Sequence, residues 1–228
     1  MLVDANVHLL PDRLAAAIRR FFVERLPGYG RYPHEHVAAR AAIAAAGVTR
    51  CWSLPYAHKP GMARDLNRWM AETFADDPLV VAGAALHPGD DVTANVADAL
   101  DGLGLRVVKL HCSVGRFAAD DARRWPEARI VIAHCAAPAT AAALALLRSS
   151  RAVCADLTPV GPRLAPVSRD DLAGLEDRIL FGSDAPNTGV DIEEGWRTCA
   201  GSASTSRRSV PCSEATRSVC SRAERISV

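Results

Sequence analysis

The sequence predicts an α/β fold, a parallel barrel of strands and helices, on three observations. Short β-like runs alternate with Ala/Leu/Arg-rich stretches of helical spacing along most of the chain. Ionisable residues fall at the C-terminal ends of those runs: His8, His87, Lys109, His111, His134, Asp156 and Asp184. No Gly-rich phosphate loop accompanies them, as a doubly wound sheet with a single ligand crevice would more usually show. Polar groups spread over many strand ends instead suit a barrel, whose site is assembled from that end of its strands.

The first run is LVDANVH (2–8), with Val3 and Val7 marking a buried strand. Within it Asp4, Asn6 and His8 are two residues apart, so strict alternation puts all three on one face. The segment PDRLAAAIRRFFVERL has helical spacing, as does HEHVAARAAIAAAG, which Gly47 should close as a C′ residue. His34 and His36 begin that helix and should face solvent. VTRCWSL (48–54), GMARDLNRWMAETFADD and LVVAGAALH (79–87) continue as strand, helix and strand, with His58 and His87 near a pocket mouth. On LRVVKLHC (105–112), Lys109 and His111 share the inward face. ARIVIAHC (128–135), AVCADLTPV (152–160) and RILFGSD (178–184) complete seven strands, with Cys112 and Cys135 as small buried residues.

Composition bounds the function. With 228 residues, 49% of them hydrophobic, and a net charge of +1, the chain reads as a globular protein without the basic surface of a nucleic-acid binder. It has no 18-residue apolar run and no secretory leader pattern, so no membrane partner is expected. Seven cysteines without paired spacing suit reduced thiols and a cytoplasmic location. A small-molecule substrate is the expected partner. Lys59 and Lys109 are the only lysines among 27 basic residues, which points to translation from GC-rich DNA.

Four segments carry a family resemblance: DANVH in the place of a D-x-H-x-H strand, RVVKLH, VIAHC and ILFGSDAP. Together they resemble the amidohydrolase superfamily, in its amidohydrolase-related (amidohydrolase 2) branch with the amino-carboxymuconate-semialdehyde decarboxylase type. The resemblance runs from Met1 to about Gly195. It implies a TIM-type (β/α)8 barrel and a metal-dependent hydrolase or decarboxylase acting on a small organic acid, amide or lactone. A divalent metal, usually zinc, would lower the pKa of a bound water to about 7. By resemblance, Asn6, His8 and Asp184 fall at metal positions, His134 and Asp184 at catalytic ones, and Lys109 and His111 on the substrate side. Asn6 stands where the family has a histidine, and an amide oxygen is a poor zinc donor beside imidazole. The blander readings are hydrogen-bonded core histidines for His8 and His134, a helix N-cap for Asp184 and packing for Lys109. A carboxylated lysine at Lys109 is the family's other possibility.

The barrel is expected to be incomplete. Between the fourth strand and VIAHC, residues 113–127 leave room for one loop and one helix, whereas a further βα unit needs roughly 30 residues. An internal deletion near Asp121 and Ala122 would remove that unit and the metal ligand it carries. Residues 1–195 form the expected barrel and residues 196–228 a poorly packed tail. Residues 197–228 contain eight Ser, six Arg and three Cys but no Leu, Phe, Lys or Asp. Read from the third base of GC-rich codons, PCSEATRSVCSRAERISV can become ALLGGNAERLLAGRADLG, like the family's usual ending. The tail thus reads as an out-of-frame translation that began near Gly195 and left the family's last helices missing. On this reading the chain is either a working enzyme with a reduced ligand set or a catalytically impaired remnant.

Overall fold

The computed structural model describes residues 2–25, 29–112, 129–158, 169–189 and 191–201. Seven strands occupy the seven expected runs: β1 (Leu2–Val7), β2 (Val48–Ser53), β3 (Val80–Ala85), β4 (Val107–Leu110), β5 (Arg129–Ile132), β6 (Val153–Asp156) and β7 (Ile179–Leu180). They form one sheet in sequence order, and every neighbouring pair is parallel. β7 is short, but the chain beyond it closes the ring on β1. Ala5 N–H donates to Phe181 O at 2.8 Å, Asp184 N–H to Asn6 O at 2.8 Å and His8 N–H to Ala185 O at 2.7 Å.

The expected gap in the barrel is closed by direct pairing. β4 pairs with β5 from Val107–Arg129 to Leu110–Ile132, so seven strands make the ring where eight would be complete. The deletion inferred near Asp121 and Ala122 falls outside the described residues.

The helices are α1 (Asp12–Val23), α2 (His36–Ala45), α3 (Ala63–Phe74), α4 (Val92–Ala97), α5 (Thr140–Ser149) and α6 (Ile192–Gly201), with a single turn at Arg169–Leu172. Local chemistry sets their ends. Asp12 lies in the first turn of α1 and its carboxylate also accepts the His36 N–H that opens α2, at 2.8 Å. Gly47 takes φ +84° after α2, the left-handed C′ residue its place predicts. Asp91 caps α4 by accepting the Ala94 N–H at 3.0 Å.

Two apolar layers result. Inside the ring, Val3, Ala5, Trp52, Leu54, Val107, Val131, Cys154 and Leu180 pack together, all fully buried. Outside it, two larger clusters seat the helices, one around Ile130, Ile132 and Leu146 and the other around Ile43, Met70 and Phe181. The barrel is therefore plugged by side chains, and polar groups can gather only at its ends.

One strand departs from the sequence reading. Val3 and Ala5 belong to the inner layer, yet Val7 belongs to an outer cluster, and the pairing register shifts between Asp4 and Val7. That bulge breaks the alternation, so Asp4, Asn6 and His8 do not share a face. Asp4 braces backbone instead, accepting Asn6 N–H at 3.1 Å and Ser183 N–H at 3.0 Å.

Candidate active site at the barrel mouth

His8, Lys109, His134 and Asp184 converge at the C-terminal ends of the strands. Each is placed by its strand's end. Asn6 and His8 follow the β1 bulge, and Lys109 is the third residue of β4. His134 leaves β5 in a left-handed conformation (φ 52°), as does Asp184 beyond β7 (φ 60°). Non-glycine residues rarely adopt that region, so two strand ends that both do so mark a place held against local preference. Gly182 permits the approach of the last segment. A Cβ there would lie 2.6 Å from the Asn6 Cβ, a distance real atoms do not adopt.

His8 is held from both ring nitrogens. Nδ1 lies 2.8 Å from Leu54 O, and Nε2 lies 2.7 Å from Asp184 Oδ1 and 3.1 Å from Lys109 Nζ. Leu54 O and the Asp184 carboxylate are acceptors, so each calls for a ring proton, while the ammonium is a donor. These groups share their protons and titrate as one network. Lys109, 2% exposed, also donates from Nζ to Asn6 Oδ1 at 2.9 Å. Asn6 Nδ2 donates in turn to Asp156 Oδ1 at 3.2 Å and Thr158 Oγ1 at 3.1 Å.

His134 forms the second half. Its Nδ1 lies 3.2 Å from Asp156 Oδ1, its backbone N–H donates to Asp156 Oδ2 at 3.2 Å, and its Nε2 lies 3.9 Å from Asp184 Oδ1. Burial works against the imidazolium, but the Asp156 and Asp184 carboxylates outweigh it and raise His134 above its ordinary pKa. Burial likewise raises both carboxyls, and the cations overturn it. His134, Lys109 and the Thr158 hydroxyl hold Asp156 well below the carboxylate range, while His8, His134 and Lys109 hold Asp184 down to about 2. His111 edges against His134, with ring centroids 5.1 Å apart, and burial and then Lys109 push it down to about 2, so it is neutral. Tyr56 closes this side, its ring 5.1 Å from His8 and 5.8 Å from His111.

Thus the expected cluster of His8, Lys109, His111, His134 and Asp184 is assembled. Asp184 caps no described helix, since its carboxylate is turned to His8. Asp156, Thr158 and Tyr56 join a site to which the sequence reading assigned them no role. Asp156 was visible as a strand-end carboxylate, but its partners lie on β1 and β5, and nothing marks Tyr56 within LPYAH. The other expected mouth residues lie apart. His58 is exposed, and His87 Nδ1 accepts the Gly89 N–H at 3.0 Å. His34 and His36 are half-buried, with His36 Nδ1 2.8 Å from Asp12. Cys135 is buried and Cys112 half-buried.

A divalent ion would need several donors free to face it. Among the described residues, no three His, Cys, Asp or Glu side chains are grouped to hold one. Asn6 Oδ1 and His8 Nε2 come together, but both already face Lys109 Nζ. An ion about 2.1 Å from Asn6 Oδ1 would lie within about 5 Å of that ammonium. At an effective dielectric of 20, the repulsion is roughly 7 kcal/mol. These residues do not fit a resident dication.

Fold and site together define a TIM-type barrel with an acid–base cluster at its C-terminal mouth. A family model described as amidohydrolase matches residues 116–198, the stretch that carries His134, Asp156 and Asp184. That stretch is similar to the amidohydrolase family. An uncharacterized TIM-barrel protein from Bordetella bronchiseptica superposes with a TM-score of 0.64 at 14% identity, over 98% of this chain and 99% of that one. An amidohydrolase 2 from Bifidobacterium longum subsp. infantis gives 0.57 at 16% identity over 98% of each chain. A 4-oxalomesaconate hydratase from Rhodopseudomonas palustris gives 0.52 at 11% identity, over 99% of this chain and 98% of that one. At these identities the likeness is one of fold. No curated protein matches the chain.

Proposed function

We propose that the chain hydrolyses a small organic acid derivative, an amide or a lactone, by acid–base activation of water. The observation that carries this is the pinning of His134. Asp156 takes its Nδ1 side, leaving Nε2 beside Asp184 in the mouth. In this reading Asp184, ionised at neutral pH, takes the proton of the attacking water. His134, raised by its carboxylates, gives a proton to the leaving group. Lys109 has N–H capacity beyond its bond to Asn6, and in this reading a free donor meets the oxygen on which negative charge develops. His111, neutral, contacts the rest of the substrate.

No step passes through a metal-activated water, because Lys109 faces the atoms that would hold the ion. The test is turnover of a panel of lactones, amides and small carboxylic acids, with product analysis to separate ring or amide opening from release of carbon dioxide. His134→Gln and Asp184→Asn should each cost about 100-fold or more in kcat. Carbon dioxide as the sole product would replace hydrolysis with decarboxylation. Equal rates in the variants would remove the assigned roles. A second reading, an inactive remnant, is favoured by the seven-strand ring, and no turnover of any panel member would establish it over the first.

A further inference from the structure

The mouth contains two buried carboxyl groups, Asp156 and Asp184, and two basic groups set against them, Lys109 and His134; burial lowers Lys109 from its ordinary pKa, and the two carboxylates oppose that fall. Lys109 is the more enclosed of the two basic groups, and its Nζ donates to Asn6 Oδ1 at 2.9 Å and lies 3.1 Å from His8 Nε2. We propose that Lys109 is the resident cation of this site, its ammonium occupying the seat that a divalent ion would take on Asn6 and His8. Asn6 suits that occupant. Its amide oxygen accepts an ammonium N–H and its Nδ2 donates onward to Asp156, a two-way relay that a metal-bound imidazole would not make. The positions that resemble a metal strand are thus matched to a lysine, whose Nζ meets both Asn6 and His8. This inference shares with the reaction proposed above the premise that Lys109 faces the seat, but its readout is metal content rather than turnover, so the two fail separately.

The test is zinc stoichiometry and calorimetry on the full chain and three variants. After incubation with excess zinc and desalting, the unmodified protein should retain a small fraction of one equivalent. Asn6→His alone should stay close to that value, because the ammonium still faces the seat. Lys109→Met should tighten zinc binding by about tenfold or more, and Asn6→His with Lys109→Met should bind more tightly again. Stoichiometric zinc in the unmodified chain, or tight binding in Asn6→His alone, would overturn the assignment even if Lys109→Met failed to fold. A folded Lys109→Met protein, checked by circular dichroism, that binds no more zinc than the original would also overturn it.

Discussion

Asp156 does no chemistry of its own in the proposed reaction, yet the site depends on it. Its carboxylate accepts from His134, Asn6 and Thr158 and has no exposed surface. Asp156→Asn should therefore let His134 fall back toward its ordinary pKa or below it. Because His134 must be protonated to act as an acid, activity is lost as pH rises through its pKa. The alkaline limb of the pH–rate profile should move to lower pH in the variant, a shift that a merely structural role would not produce. Breaking a buried charged pair also costs about 3–5 kcal/mol, so the variant should melt earlier.

Asp4 gives a second prediction at this scale. Burial raises its pKa from 3.8 to about 7, although Ser183 and Asn6 hydrogen-bond the carboxylate. The sign follows from proton counting. Between the unfolded and folded values the native state binds the extra proton, so the Asp4 contribution to stability is greatest at the acid end and falls as pH rises toward 7. The span is on the order of 4 kcal/mol. His8 and His111, both lowered chiefly by burial, contribute the opposite slope over the same range, so Asp4→Asn should make stability rise more steeply between about pH 4 and 6.5 than it does in the unmodified chain, read by thermal melts of both proteins. A variant with the same slope as the unmodified chain would show that Asp4 does not carry this contribution.

Among the elements, the β7 segment is the most tightly specified. Ile179, Leu180 and Phe181 are buried, Gly182 abuts Asn6, Ser183 donates to Asp4 and Asp184 reaches His8. The sequence reading starts a poorly packed tail at residue 196. In the structure α6 runs through that boundary to Gly201, Ile192 is buried and the Trp196 ring packs 5.2 Å from Phe181. Phe181 is consequently covered. Gly182→Ala should cost about 1–3 kcal/mol through overpacking against Asn6, measurable as a lower denaturant midpoint with little change in slope. An unchanged midpoint would mean that β1 can yield at its bulge.

At the scale of the molecule, closure depends on β4 meeting β5 and on the β7 segment meeting β1. No described helix is long and apolar enough to cross a membrane. Residues 202–228 lie outside the described structure, and the frame-shift expectation falls largely on them. Their sequence offers Val210, Val219, Ile226 and Val228 as its only aliphatic residues beyond alanine, and no Leu or Phe. Burying such side chains contributes about 1.5–3 kcal/mol each, whereas ordering a residue costs roughly 1–2 kcal/mol of backbone entropy. Removing residues 202–228 should therefore leave the melting temperature of the barrel unchanged. A marked loss of stability would show that this segment packs on it after all.

The sequence by itself determined the strand runs, the parallel barrel and most of the residues at its mouth. Those features depend on local periodicity, on Gly47 ending a helix and on polar residues recurring at strand ends, all of which are written along the chain. Only the tertiary structure decided which polar residues meet. The β1 bulge turns Asp4 away from Asn6 and His8, and it depends on how β1 registers against β2. Asp156 becomes the partner of His134 because β5 and β6 are adjacent, and Lys109 meets Asn6 across 103 residues of sequence because the seven-strand ring brings β4 opposite β1. A motif on one strand names a donor but not what will face it, because hydrogen bonds across a barrel are set by register and closure rather than by sequence spacing.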